Sequence, residues 1–414
     1  MGLTTAHSSV TLSLILVDHV VLTTRAFVVL QNVRKHPTLY DPRHEHDACG
    51  VGAVVSIDGR RSRRILELAN EIVLNLQHRG AAGADETTGD GAGILFQLPH
   101  AFFAEEDLGF DLPEAGRYGV AMIFGPRDES LYRKCLDTLT ESADAHNMTV
   151  LGIRDVPVDN SGLGDFARQA EPRVRQVFVA VGERQREDVD IGLYLVRRRT
   201  ENLVRERFGP QADEFYICSM SSRTICYKGM FLAPQLFGYY ADLRDARMTS
   251  ALAVVHQRYS TNTFPNWRLA QPFRLVAHNG EINTLSGNAN RMHARETVMQ
   301  SPRFGEHVRD LVPVLTPGAS DSAQFDNCLE LLVRAGRSLP HAMMMMIPEA
   351  FGTAYHISED KRAFYEFHAS MMEPWDGPAA MVFTDGRIVG GTLDRNGLRP
   401  ARYVVTEDNL VVLA

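Results

Sequence analysis

Four well-separated stretches concentrate residue types that neither a hydrophobic core nor a plain turn calls for. They are Cys49-Gly50-Val51-Gly52, Val255-His256-Gln257-Arg258-Tyr259-Ser260-Thr261-Asn262-Thr263, His278-Asn279-Gly280-Glu281-Ile282-Asn283 and Ser320-Asp321-Ser322. Cleaving an amide needs a nucleophile, a base to take its proton, donors for the oxyanion and groups that hold the substrate's charged ends. Cysteine, asparagine-glycine, arginine and aspartate are residue types able to fill those places. Taken singly, each has a plainer explanation: a buried cysteine opening a strand, an Asn-Gly turn, a strand-end surface arginine, and an aspartate N-cap. A rival arrangement is a zinc module on His44, His46 and Cys49, whose nitrogen and sulfur ligands suit that ion but which lacks an obvious fourth ligand.

These side chains need elements to hold them. An irregular leader gives way at Tyr40-Asp41-Pro42, and from Cys49 small and β-branched residues run to Val55 ahead of a turn at Asp58-Gly59, a short buried strand that the cysteine opens. Residues 62–80 carry Ile65, Leu68, Ala69, Ile72, Val73 and Leu76 at helical spacing, with Gly80 as the stop. Strand-like runs at 118–124, 177–181, 215–219, 224–227 and 251–256 and helical runs at 128–143, 188–208 and 321–337 come in blocks. The end of the chain reads as hairpins, 379–384 and 387–392 about the turn Asp385-Gly386, then 401–406 and 410–413. Antiparallel sheets covered by helices, a layered α+β fold, fit this better than a βαβ repeat. The run Met343-Met344-Met345-Met346 is expected to fill core space, because thioethers adapt to irregular gaps.

Composition narrows the function. A chain of 414 residues, 44% hydrophobic and 23% charged, can bury a large core or two. A formal net charge of −8 and the lack of a dense Lys/Arg run argue against a nucleic-acid groove. The five cysteines (Cys49, Cys135, Cys218, Cys226, Cys328) are too scattered for a disulfide scaffold and form no C-x-x-C pair, so reduced thiols in the cytoplasm are the simplest reading. The apolar stretch 10–30 contains Asp18, His19 and Arg25, which makes it a poor membrane span, and it lacks the marks of a signal peptide. No membrane partner is expected.

Together the four stretches resemble class II glutamine amidotransferases, and among them the amidotransferase domain that opens the glutamate synthase large subunit. The resemblance extends to Tyr40-Asp41-Pro42, Gln77-His78-Arg79-Gly80, Thr88-Gly89-Asp90-Gly91-Ala92-Gly93 and Leu393-Asp394-Arg395-Asn396-Gly397-Leu398-Arg399-Pro400, and so covers about 40–414. It implies an N-terminal-nucleophile hydrolase fold over 49–414, a four-layer αββα sandwich of two antiparallel sheets, with 1–48 as a leader or propeptide. The implied activity is hydrolysis of L-glutamine to L-glutamate and ammonia, the ammonia passing to 2-oxoglutarate on downstream or partner synthase domains. A glutamine-sensing module without turnover is the alternative, and the intact Cys49, Arg258 and Asn279 count against it.

By the same resemblance, Cys49 is the nucleophile once it is the first residue. Its own α-amino group, with a reference pKa of about 7.7–8.0, then acts as base, which an internal amide nitrogen cannot do. The Asn279 side chain and the Gly280 N–H donate to the oxyanion. Arg258 holds the glutamine α-carboxylate through a planar fork, Thr261 adds a hydroxyl contact, Asp321 takes the α-ammonium, and 259–266 form a loop over the substrate. His256 and His278 are structural, since the base is accounted for. No metal or cofactor is expected on this chain. FMN and an iron–sulfur cluster belong to the synthase domains, which are either downstream or on a partner, and there is room for a small NADPH-oxidising subunit.

Overall fold

A computed structural model of the chain describes residues 50–83, 85–182, 188–258 and 264–414, together with the backbone of a short strand at Leu14–Leu16. The strands are β1 (Leu14–Leu16), β2 (Gly50–Ser56), β3 (Ala92–Gln97), β4 (Tyr118–Gly125), β5 (Met148–Asp155), β6 (Arg173–Val181), β7 (Tyr216–Ser221), β8 (Thr224–Gly229), β9 (Leu252–Gln257), β10 (Val276–Gly280), β11 (Ala379–Thr384), β12 (Val389–Leu393), β13 (Tyr403–Val405) and β14 (Leu410–Leu413). The helices are α1 (Arg63–Asn75), α2 (His100–Glu105), α3 (Glu129–Ala145), α4 (Asp165–Gln169), α5 (Val189–Phe208), α6 (Gln235–Tyr239), α7 (Leu285–Glu296), α8 (Asp321–Arg334), α9 (Leu339–Met346) and α10 (Glu359–Ala369).

The described residues form three sheets. A central sheet has the order β13-β14-β2-β9-β3-β8, a facing sheet the order β1-β12-β11-β10, and an outer sheet the order β5-β6-β4-β7. Every pairing is antiparallel except β1 with β12. The two-residue period of a strand decides what lies between them. On β2, Val51, Ala53 and Val55 point toward the facing sheet and share a core with Ala277 of β10 and Val382 of β11. The intervening Val54 points the other way, into a core with Ile65, Leu66, Ala69 and Val73 of α1. On the facing sheet, Val276, Met381 and Phe383 turn from Ala277 and Val382 to pack against Phe325, Cys328 and Leu329 of α8. Each fully buried aliphatic or aromatic side chain of this kind contributes about 1.5–3 kcal/mol.

Two glycines set how closely α1 lies on β2. A Cβ at Gly50 would fall 2.9 Å from Leu76 Cβ, and one at Gly52 would fall 2.6 Å from Ile72 Cγ2, so the Cys-Gly-Val-Gly run is also a packing surface. The helix stops at Asn75, ahead of Gly80, and a 3₁₀ turn fills Gln77–Arg79. The methionine run fills core space as expected, with Met343, Met345 and Met346 on the buried face of α9.

The structure also departs from the sequence reading. The outer sheet, whose Ala121, Ile123, Val177 and Val179 bury against α3 and α5, is a third sheet beyond the two expected. β1, β3 and β5 and helices α2, α4, α6, α7, α9 and α10 are further additions, while the expected helix 321–337 ends at Arg334. No helix among the described residues is long and apolar enough to cross a membrane.

Candidate active site

Cys49 and Thr261 lie outside the described residues, as does most of the loop 259–266 and the His44-His46 pair of the zinc alternative. The frame around them is described. Gly50, next to Cys49, pairs with Gln257, and Arg258 follows at once where β9 ends. Arg258 is 6% exposed, so the plainer alternative of a surface arginine fails. Its backbone N–H donates to Gly91 O at 2.8 Å, which ties the glycine-rich run 88–93 to the same end of the central sheet.

Two histidines join the sheets. His256 Nε2 donates to the His278 carbonyl at 3.0 Å, a bond from β9 to the free edge of β10. Gln271 completes that edge: its Oε1 accepts from His278 N at 2.8 Å and its Nε2 donates to His278 O at 3.2 Å. The His278 Nδ1 meets Ser322 Oγ at 2.8 Å, reaching the start of α8. Burial pushes His256 down to about 3, against the pull of its bond to the His278 carbonyl, so it is neutral. Burial likewise lowers His278, opposed by the Asp321 charge. The His256 ring thus holds β9 to β10, and the His278 ring ties β10 to the start of α8.

Asn279 and Gly280 end β10 and pair with Ala380 and Ala379 of β11, so they are strand residues and not an Asn-Gly turn. Asn279 is 7% exposed, and its Oδ1 has no hydrogen-bond partner among the described residues. Gly280 sits at φ +140°, and a Cβ there would fall 1.8 Å from Pro378 O, so no other residue fits. Opposite, Asp394 accepts from Ala379 N at 2.9 Å and from Leu398 N at 3.0 Å, which gives the 393–400 run its purpose: it fixes the start of β11 against Gly280.

Asp321 is the first residue of α8 and not its cap, since Ser320 Oγ accepts from Ala323 N. The half-buried carboxylate instead accepts from Ile282 N at 2.8 Å through Oδ2 and from Ser322 N at 2.6 Å through Oδ1. Arg258, Asn279, Gly280 and Asp321 are thereby linked through one chain of contacts, His256 to His278 to Ser322. A cavity of about 590 Å³ lies beside them, lined by Val51, Ala380, Asp394, Asn396 and Tyr403 among others. Arg258, Asn279 and Asp321 do not line it, so it neighbours the linked residues without containing them. Sequence reasoning passed over Gln271 and Asp394. The Asp394-Arg395-Asn396 run carried a signal for the latter, an Asx turn in which Asn396 N donates to Asp394 Oδ1 at 2.9 Å. Gln271 carried none.

The chain belongs to the class II glutamine amidotransferases, whose family model matches residues 49–414. It is 45% identical over 379 residues to the glutamate synthase [NADPH] large chain of Bacillus subtilis, covering 91% of this chain and 25% of that one. It is also 45% identical over 392 residues to the glutamate synthase [NADH] of Schizosaccharomyces pombe, covering 92% of this chain and 18% of that one. The chain thus spans a quarter or less of the length of these curated relatives. Among solved structures it is similar to glutamine phosphoribosylpyrophosphate amidotransferase from B. subtilis, with a TM-score of 0.26 and 14% identity over 71% of this chain and 41% of that one, a likeness too slight to carry an argument.

Proposed function

We propose that this amidotransferase domain hydrolyses L-glutamine and hands the ammonia to synthase domains or a partner subunit that adds it to 2-oxoglutarate. Residues 49–414 form the working unit, and removal of 1–48 frees the Cys49 amine. That amine takes the thiol proton, and the thiolate attacks the amide carbon. The Asn279 amide and Gly280 N–H receive the negative charge on oxygen. The ammonium form of the amine then protonates the leaving nitrogen, ammonia departs, and water cleaves the thioester to glutamate. Arg258 and Thr261 hold the α-carboxylate end and Asp321 the α-ammonium, which selects a zwitterionic amino acid.

The observation that carries this reading is the junction at His256 and His278, which gathers Arg258, Asn279-Gly280 and Asp321 beside the residue that follows Cys49. The alternating faces of β2, β10 and β11 support an αββα sandwich formed by α1, the central sheet, the facing sheet and α8, to which the outer sheet is an addition. FMN, an iron–sulfur cluster and a small NADPH-oxidising subunit belong to the glutamate synthase reaction as a whole, in the cytoplasm, and the residues of this chain are assigned no part in holding them. The decisive test is maturation. Protein beginning at Cys49 is expected to release ammonia from glutamine, and protein retaining 1–48 is expected not to; equal rates would remove the α-amino base.

A further inference from the structure

Apart from this site, His146, His307 and Asp310 meet where the end of α3 touches the 3₁₀ segment Gly305–Leu311. His146 is 4% exposed, and its Nε2 is buried with no hydrogen-bond partner among the described residues. That nitrogen lies 3.4 Å from Asp310 Oδ2, and His307 Nδ1 lies 3.4 Å from the same oxygen. Both separations exceed a good N–H···O bond, which centres on about 2.9–3.0 Å. They match the edge of a coordination tetrahedron, because ligand atoms about 2.0–2.1 Å from a zinc ion stand about 3.3–3.4 Å apart. The two imidazole rings have centroids 4.5 Å apart, and all three ligand atoms lie within 4.8 Å of one another.

The carboxylate is already oriented for such a role. Asp310 Oδ1 accepts from Arg199 Nη1 at 2.8 Å and its backbone carbonyl accepts from Asn202 Nδ2 at 2.8 Å, both donors on α5. Outer bonds of this kind fix ligating carboxylates in metal sites. The His307 side chain is 40% exposed, which leaves the fourth position to solvent.

We propose that His146, His307 and Asp310 bind a divalent transition-metal ion of the zinc type, with water as the fourth ligand. The ion joins α3 and α5, which cover the outer sheet, to the segment that leads into α8 and Asp321. Its place in the molecule is that of a structural clamp, and it shares no residue with the proposed catalytic set.

The test uses the full chain carrying Cys49→Ala, so that no thiolate competes, stripped with chelator and titrated with Co²⁺ as an absorbing probe and then with Zn²⁺. One saturable tetrahedral Co²⁺ per chain, displaced by Zn²⁺, is expected. His307→Ala removes a half-exposed ligand and is expected to weaken binding by at least ~10-fold, and to abolish any rise in Tm on adding Zn²⁺. His146→Gln should weaken it likewise, and the solvent-side control His293→Ala should leave it unchanged. Absence of a saturable site overturns the proposal. So does a site that His307→Ala and His146→Gln both leave intact, since the ion would then sit elsewhere, as on His44 and His46.

Discussion

At its first residue α8 offers the Asp321 carboxylate to the loop after β10, while farther along the same helix Asp326 and Glu330 enter a cluster of charges with Arg197, Arg198, Glu201 and Arg274. The two regions bury polar groups on opposite terms. In the cluster, charges face charges: Arg274 reaches Glu201 at 3.1 Å, Arg197 reaches Glu201 at 2.9 Å and also pairs with Glu330, and Arg198 reaches Glu201 at 2.7 Å. Burial alone would raise Glu201, but the Arg197, Arg274 and Arg198 guanidiniums outweigh it and hold it at about 2. Burial pushes Asp326 up to about 6, with Arg274 opposing. At the end of β10 the buried groups are neutral: His256 Nδ1 and Asn279 Oδ1 have no partner among the described residues, as is also true of the Nε atoms of Arg197, Arg198 and Arg274 within the cluster. The regions are joined, because Asp326 accepts from Arg274 N at 3.3 Å and from Leu275 N at 2.9 Å, fixing the start of the strand that ends in Asn279-Gly280.

The largest expected effect breaks the cluster. Arg197→Met leaves Glu330 and Glu201 short of a buried partner and is expected to cost about 3–5 kcal/mol in denaturant unfolding, while glutamine turnover of the folded variant stays within a few-fold of the parent. A loss under about 1 kcal/mol would mean that pairing is not what lets these charges stay buried.

Next comes a substitution whose expected readout is chemistry. Asn279→Asp is nearly isosteric but sets a negative charge against the developing oxyanion, so kcat should fall by about 10²–10³-fold with a smaller change in KM. Cys49 should still be alkylated by a glutamine-like reagent. Near-normal kcat would reduce Asn279-Gly280 to a strand end and erase the contrast between the regions.

The smallest effect sharpens the comparison through pH. His256 titrates near 3 when folded, against an ordinary value of 6.5. The unfolded chain therefore takes up a proton that the folded one refuses, and this stability is complete above pH 6.5 and lost as pH falls toward 3. The slope is at most about 1.4 kcal/mol per pH unit for one proton. His256→Gln keeps a donor for the His278 carbonyl and cannot titrate. Urea melts at pH 7.0 and 5.5 should show a shallower loss in that variant than in the parent, and identical slopes would show that His256 is not held neutral by burial.

Local pattern made part of this molecule legible in advance. The period of Ile65, Leu68, Ala69, Ile72 and Val73 announces α1, although the face it buries is Ile65, Leu66, Ala69 and Val73, and the pair Asp385-Gly386 sets the β11–β12 hairpin, because Asp385 Oδ1 accepts from Arg387 N and Ile388 N within the turn itself. Residue type at 258, 279, 280 and 321 marked the candidate site for the same reason: a guanidinium fork, an amide, an approachable backbone and a carboxylate are properties of the residues. What the sequence could not settle was surroundings. Asn279-Gly280 reads as a turn until β11 pairs with it, and Asp321 reads as a cap until Ile282 N–H arrives from a different element. Likewise, β5 alternates exposure too weakly to announce itself, with Thr149, Ile153 and Asp155 exposed. Gln271 gains a role only where it mimics a strand along β10, and His146 meets Asp310 only when α3 packs against a distant segment. Chemistry of a side chain travels with the residue, whereas its partners, its burial and hence its charge state come from atoms far along the chain, which tertiary packing alone brings within reach.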